Sequence, residues 1–165
     1  MLERLDQMKL PVDNLVDIVI KEPAYHTNEV FDYLWNLIPS EVSIYKLVSK
    51  AFFFQSEYVV TKLLTKPFPP SLIIIFIKRT KLGLTPLMFE FLKRNRPSGT
   101  DVAFLLFDSP QYVTESTFDL FVSRAKTYHE VMAVLDHAKG LTEDQQDILL
   151  RLCVSLAVDQ DNVYN

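Results

Sequence analysis

Along residues 113–157, apolar and polar positions alternate with the 3.6-residue period of amphipathic helices, in three blocks separated by tight turns. In the middle block Val131, Val134, Leu135 and Ala138 fall at i, i+3, i+4 and i+7, and Gly140 follows as a helix stop. Thr142 and Gln145 then form a T-x-x-Q capping box, with Glu143 and Asp144 placed to oppose the helix dipole. The helix it opens is predicted to bury Ile148, Leu149, Leu152, Leu156 and Ala157. The block before Val131 is predicted to bury Phe118, Phe121 and Val122, with Leu120 and Ala125 widening the stripe. Short links between such helices force neighbours to pack antiparallel.

The same periodicity predicts helices over 12–20, 28–38, 42–53 and 56–65. Thr85 and Pro86 open another, and a short apolar helix follows over 102–107, capped by Thr100 and Asp101. Residues 71–77, with four isoleucines and a phenylalanine, have strand propensity. A buried helix is the expectation, because no partner strand is visible elsewhere in the chain.

Phe31, Tyr58, Phe89, Phe118 and Ile148 stand at similar points of alternate helices, at spacings of 27, 31, 29 and 30 residues. A period of roughly 30 residues built from two helices is the mark of stacked helical hairpins. The expected fold is all-α: a short right-handed solenoid of about five antiparallel hairpins, forming one domain over residues 1–165.

Composition narrows the chemistry. The three glycines, Gly83, Gly99 and Gly140, are scattered among expected turns, so phosphate-cradling glycine loops are excluded. A net charge of −4 argues against general affinity for nucleic acid or anionic membrane. The single cysteine, Cys153, sits among leucines, supplies no disulfide or zinc site, and suits a reducing compartment, cytoplasmic or mitochondrial matrix. The longest apolar run is too short to span a bilayer. The first ten residues read as neither a secretory signal nor a transit peptide.

Lys81-Leu82-Gly83-Leu84-Thr85-Pro86 and Lys139-Gly140-Leu141-Thr142-Glu143 share a K-(x)-G-L-T core leading into a helix. That turn resembles the one before the first helix of pentatricopeptide-type repeats, within the wider pentatricopeptide and tetratricopeptide class. The likeness runs over residues 81–157, although these units are shorter than that family's. It implies a helical-hairpin fold and RNA binding. In that family base choice depends on a small polar residue two positions after the first helix's aromatic. Here those positions hold Tyr33, Val60, Phe91, Leu120 and Leu150; none is Asn, Ser or Thr, and a leucine or valine side chain cannot hydrogen-bond a base edge.

Six cations, Lys78, Arg79, Lys81, Lys93, Arg94 and Arg96, share residues 78–96 with one acid, Glu90. They read either as solvated helix ends that meet the dipoles or as a contact site for an anionic partner. His129 and His137 are too far apart along one helix for a shared metal, and Phe52, Phe53, Phe54 and Phe68 read as core or as a partner groove. No catalytic, cofactor or metal signature stands out. The expectation is a non-enzymatic interaction module that binds another protein in a larger assembly, without membrane insertion. The alternative is an RNA-associated factor of an organelle that holds phosphates through residues 78–96.

Overall fold

The computed structural model describes the backbone of residues 1–164 and the side chains of residues 1–161. Among the described residues the protein is all-helical. Eleven α-helices follow in order: α1 (Leu2–Gln7), α2 (Val12–Lys21), α3 (Asn28–Asn36), α4 (Glu41–Lys50), α5 (Glu57–Leu63), α6 (Pro70–Arg79), α7 (Pro86–Arg94), α8 (Gly99–Leu106), α9 (Glu115–Arg124), α10 (Tyr128–His137) and α11 (Glu143–Tyr164). Short 3-10 turns at Pro23–Tyr25, Phe52–Phe54 and Pro110–Tyr112 join three of the pairs. The isoleucine run is helical, within α6. Extended pairing among the described residues is limited to an isolated bridge between Phe107 and Ala138.

Helix starts repeat with a period of 29. The even-numbered helices from α2 to α10 begin at residues 12, 41, 70, 99 and 128, and those from α3 to α9 at 28, 57, 86 and 115. The caps explain the regularity. Thr27, Ser56, Thr85 and Thr114 each accept a hydrogen bond from the backbone N–H three residues on, and Thr142 does the same for Gln145. Ser40, Ser98 and Thr127 cap α4, α8 and α10 in the same way. Each cap satisfies N–H groups that an uncapped helix start would strand.

Four expectations change. Counted from the caps, Phe31, Val60, Phe89 and Phe118 are equivalent, so Tyr58 and Ile148 do not belong to that series; both are surface residues, 38% and 45% exposed. Gly99 lies in the first turn of α8 rather than in a turn between helices, and Ser98, not Thr100, forms the capping box with Asp101. A Cβ on Gly99 would meet the Ala125 Cα and the Arg124 carbonyl at 3.0 Å. The helix expected over 42–53 stops at Lys50, because the chain turns there to bury Phe54. Helix α1 was not anticipated; it buries Leu5 completely.

The backbone groups into two compact units, Met1–Asn95 and Arg96–Asn165. In the first, α2 packs against α4 and α4 against α6, while α3 packs against α5 and α5 against α7. Its interior is aliphatic and aromatic: Val19, Phe31, Phe54, Leu63, Ile73, Phe76 and Phe91 are at most 1% exposed. In the second, α8 packs against α9 and α10, and α10 against α11, around Leu105, Phe121, Val131, Val134 and Leu149.

Lys9, Ile38 and Arg96 take the left-handed conformation at φ 50°, 57° and 50°, each two residues after α1, α3 or α7 ends. They too are 29 apart or twice that, and Pro67 holds the position between. Glycine is the usual residue at such helix ends, and a β-branched side chain is the worst fit. Ile38 is 76% exposed, so its side chain buries little to offset the strain. Ile38→Gly is therefore expected to stabilise the protein by about 0.5–1 kcal/mol, the left-handed penalty exceeding the entropy glycine adds to the unfolded chain. Denaturant unfolding checks it, and a lower midpoint would contradict the strain.

Candidate functional site

The six cations of residues 78–96 do not share one place. Lys78 and Arg79 close α6, and Lys93 and Arg94 close α7. A six-residue turn reverses the chain between these helices, so their last turns lie at opposite ends of the hairpin, about 13 Å apart at 1.5 Å per residue. Lys81 lies in the turn, with Nζ 5.7 Å from the centroid of the Phe52 ring. Arg96 belongs to the second unit. Lys93 and Arg94 line an open cleft of about 510 Å³ along α7 with Pro86, Phe89 and Glu90.

The turn end of the first unit holds a different grouping. A 3-10 turn has three residues per turn, so three consecutive side chains point in three directions and cannot all be buried. Phe54 goes inward and is fully buried, its ring centroid 5.9 Å from that of Phe31 and 5.4 Å from that of His26. Phe52 and Phe53 are left 68% and 46% exposed. Phe68, by contrast, is core, packed on Phe76 and Phe91.

The turn is held from both sides. The Gln55 side chain donates to the Val48 carbonyl (2.9 Å) and accepts from the Lys81 N–H (2.9 Å), tying this turn to the next. One repeat earlier, His26 takes the same role, its Nε2 2.8 Å from the Val19 carbonyl. Beside the turn, a cleft of about 310 Å³ is lined by Glu57, Val60, Leu82, Thr85, Pro86 and Leu87. Glu57 supplies its carboxylate, and Val60, Leu82, Pro86 and Leu87 its apolar wall.

The remaining candidates are spread out. His129 lies against the Tyr128 ring (4.0 Å between centroids) and His137 against Phe107 (5.3 Å). Cys153 is half-buried, with Sγ 4.0 Å from the Tyr128 carbonyl. Among the described residues no three His, Cys, Asp or Glu side chains gather as a metal site would require, and no helix is long and apolar enough to cross a membrane. Of the positions that would read bases, Val60, Phe91 and Leu120 are buried, the Tyr33 hydroxyl donates to Asp6, and Leu150 is exposed.

Lys21, Lys50 and Arg79, by contrast, are the last residues of α2, α4 and α6. They are exposed and spaced by 29, a column that the aromatic register of the sequence hid. The signal was present as a basic residue at one fixed distance from three successive caps.

A second polar cluster joins α3 to α5. The Tyr58 hydroxyl donates to Asp32 (2.5 Å), and Lys62 Nζ stands 3.7 Å from the other Asp32 oxygen. The bond to Asp32, followed by burial, pushes the Tyr58 phenol above its ordinary value of 10.0. The folded state thus holds this proton more tightly than the unfolded one. The contribution to stability is complete below pH 10 and is lost as pH rises through the folded value. Asp32→Asn is expected to bring the Tyr58 titration down towards 10.0, read as a difference in phenolate absorbance between the two proteins; identical titrations would contradict the contact. Against protein-family models, curated proteins and solved structures, the chain finds no match.

Proposed function

We propose that the chain is a non-enzymatic helical-repeat interaction module, a short right-handed solenoid of 29-residue hairpins resembling the pentatricopeptide and tetratricopeptide class. It binds another protein within a larger assembly, in a reducing intracellular compartment. The observation that carries this reading is the Phe52–Phe53 pair: two adjacent rings held in solvent by a rigid turn beside an apolar cleft. Burying one phenylalanine is worth about 1.5–3 kcal/mol, so a partner that covers the pair gains substantially from a small area. Exposed aromatic clusters of this kind are the usual centres of protein interfaces.

Phe52→Ser with Phe53→Ser tests the reading by comparing cross-linked affinity purifications of the native and doubly substituted proteins. The variant is expected to lose the partner set while keeping its circular dichroism and unfolding midpoint, since both rings are exposed. The same partner set with both proteins would remove this face from the proposal.

A second reading rests on the α7 cleft, where Phe89 stands with Lys93 and Arg94. An aromatic ring beside cations is the pairing that single-stranded RNA uses for stacking and phosphate contact. Lys93 and Arg94 changed together to glutamine would then weaken RNA binding uniformly over unrelated sequences and flatten its salt dependence. The net charge of −4 leads us to expect little RNA affinity even before the change. Tight, sequence-selective RNA binding by the native chain would reverse the order of the two readings.

A further inference from the structure

We propose that the turn end of the first unit docks an extended acidic protein segment. Lys21, Lys50 and Arg79 each take one of its carboxylates, and Phe52 and Phe53 take an apolar side chain carried between them. This rests on the protein-binding reading above and names the chemistry of the partner.

The three cations occupy one position of three successive repeats, at the end of α2, α4 and α6. Because α2 packs on α4 and α4 on α6, the column's spacing is the distance between packed helices, about 8–10 Å. An extended chain of the polyproline-II kind has three residues per turn and advances about 3.1 Å per residue, so every third residue faces the same side and meets the next cation. All three are exposed, and among the described residues none forms an ion pair within 4.0 Å.

Two of the acids near the column are engaged, and Glu57, at the start of α5, lines the cleft beside the turn. Asp17 is held by Lys46 at 2.5 Å, and the Glu22 side chain turns back to the Ala24 N–H. The Asp17 carboxyl is kept below its ordinary value of 3.8, first by the hydrogen bond from Lys46 and further by the charges of Lys46, Lys21 and Lys50, against the opposing effect of burial. Lys21 and Lys50 thus act on the same patch of surface.

Helix dipoles explain a cation at each of these helix ends. They do not explain the two phenylalanines left in solvent two and three residues beyond Lys50. The equivalent residues of the neighbouring repeats are Pro23-Ala24 and Lys81-Leu82, so the aromatic pair belongs to the middle turn alone. With Lys21 in the repeat before and Arg79 and Lys81 in the repeat after, an apolar centre is framed by positive charge, as in interface hot spots.

Charge is partitioned in the same sense. Residues 1–95 hold 12 Lys and Arg against 10 Asp and Glu, whereas residues 96–165 hold 5 against 11. At the equivalent positions of the last two repeats stand Asp108 and His137, so the column ends within the first unit. Single cations one helix diameter apart match separated carboxylates better than the continuous charge of a phosphate chain.

The test uses the whole chain and a fluorescein-labelled extended peptide with glutamate at every third position and leucine beside the central one. Its counterparts are the same peptide with glutamine for glutamate, a uridine homopolymer, and phosphatidylserine vesicles. Fluorescence anisotropy is expected to show the glutamate peptide binding at least about tenfold tighter than the glutamine peptide, and more weakly as salt rises. Lys21→Glu, Lys50→Glu and Arg79→Glu together, or Phe52→Ser with Phe53→Ser, should each weaken it about tenfold or more, whereas Lys62→Gln on α5 should not. The proposal is overturned if the native chain does not bind the glutamate peptide, or if the glutamine peptide or the charge-reversed protein binds equally well. Tighter binding of the homopolymer or the vesicles, abolished by the same charge reversals, overturns it in favour of those ligands. If the charge-reversed protein keeps a partner set that the Phe52/Phe53 variant loses, the acidic-segment inference fails and the module reading stands. If native and Phe52/Phe53 variant proteins keep the same partners, the module reading itself fails.

Discussion

Each second helix must start in the short space left by a reversing chain, and its first N–H groups must find acceptors there. Ser and Thr side chains supply them at positions 27, 56, 85, 114 and 142. Within the first unit the caps recur every 29 residues, and equivalent side chains of neighbouring hairpins come to the same height. Asp17 therefore meets Lys46, 29 residues away, and Gln55 repeats the hydrogen bond that His26 makes one hairpin earlier. The ladder in turn fixes the direction of the turn residues, including the two phenylalanines it holds outward.

Helix existence was legible in the sequence because it depends on local terms: apolar spacing, caps and proline. Residues 71–77 show why. Their β-branched composition suggests a strand, yet a lone strand has no partner for its backbone, and the run lies in α6 with Ile73, Ile74, Phe76 and Ile77 all fully buried. The register was harder to read. Aromatic residues mark both the core and the surface of this chain, so alignment on aromatics took exposed Tyr58 for an equivalent of buried Val60. Polar caps had only one place to be, and they carry the period.

The surface was the least legible part. Three consecutive phenylalanines cannot be sorted into core and solvent without knowing that α4 ends at Lys50 and that a 3-10 turn follows. The cations misled for a related reason. Proximity in sequence placed Lys78–Arg79 beside Lys93–Arg94, but a reversing chain puts the ends of consecutive helices far apart and brings the ends of alternate helices together. Lys21, Lys50 and Arg79, distant in sequence, are the ones that a shared register aligns.

The last hairpin shows that the register follows the cap and not the length of the turn. Helix α11 begins 28 residues after α9 instead of 29, because the chain passes from α10 through Ala138, Lys139 and a left-handed Gly140 without a 3-10 turn. Counted from its own cap, Thr142, Leu149 nevertheless falls seven residues on, the place that Leu34, Leu63, Leu92 and Phe121 hold after Thr27, Ser56, Thr85 and Thr114, and all five are buried. The missing residue is absorbed in the turn, and the buried stripe starts afresh from the cap. Ile148, expected in the core, precedes that position and is 45% exposed; Leu150, Val154 and Val158 lie on the outer face, at i, i+4 and i+8 and all more than half exposed. The cap that ends each turn, rather than the turn's length, therefore decides which stripe of the following helix is core.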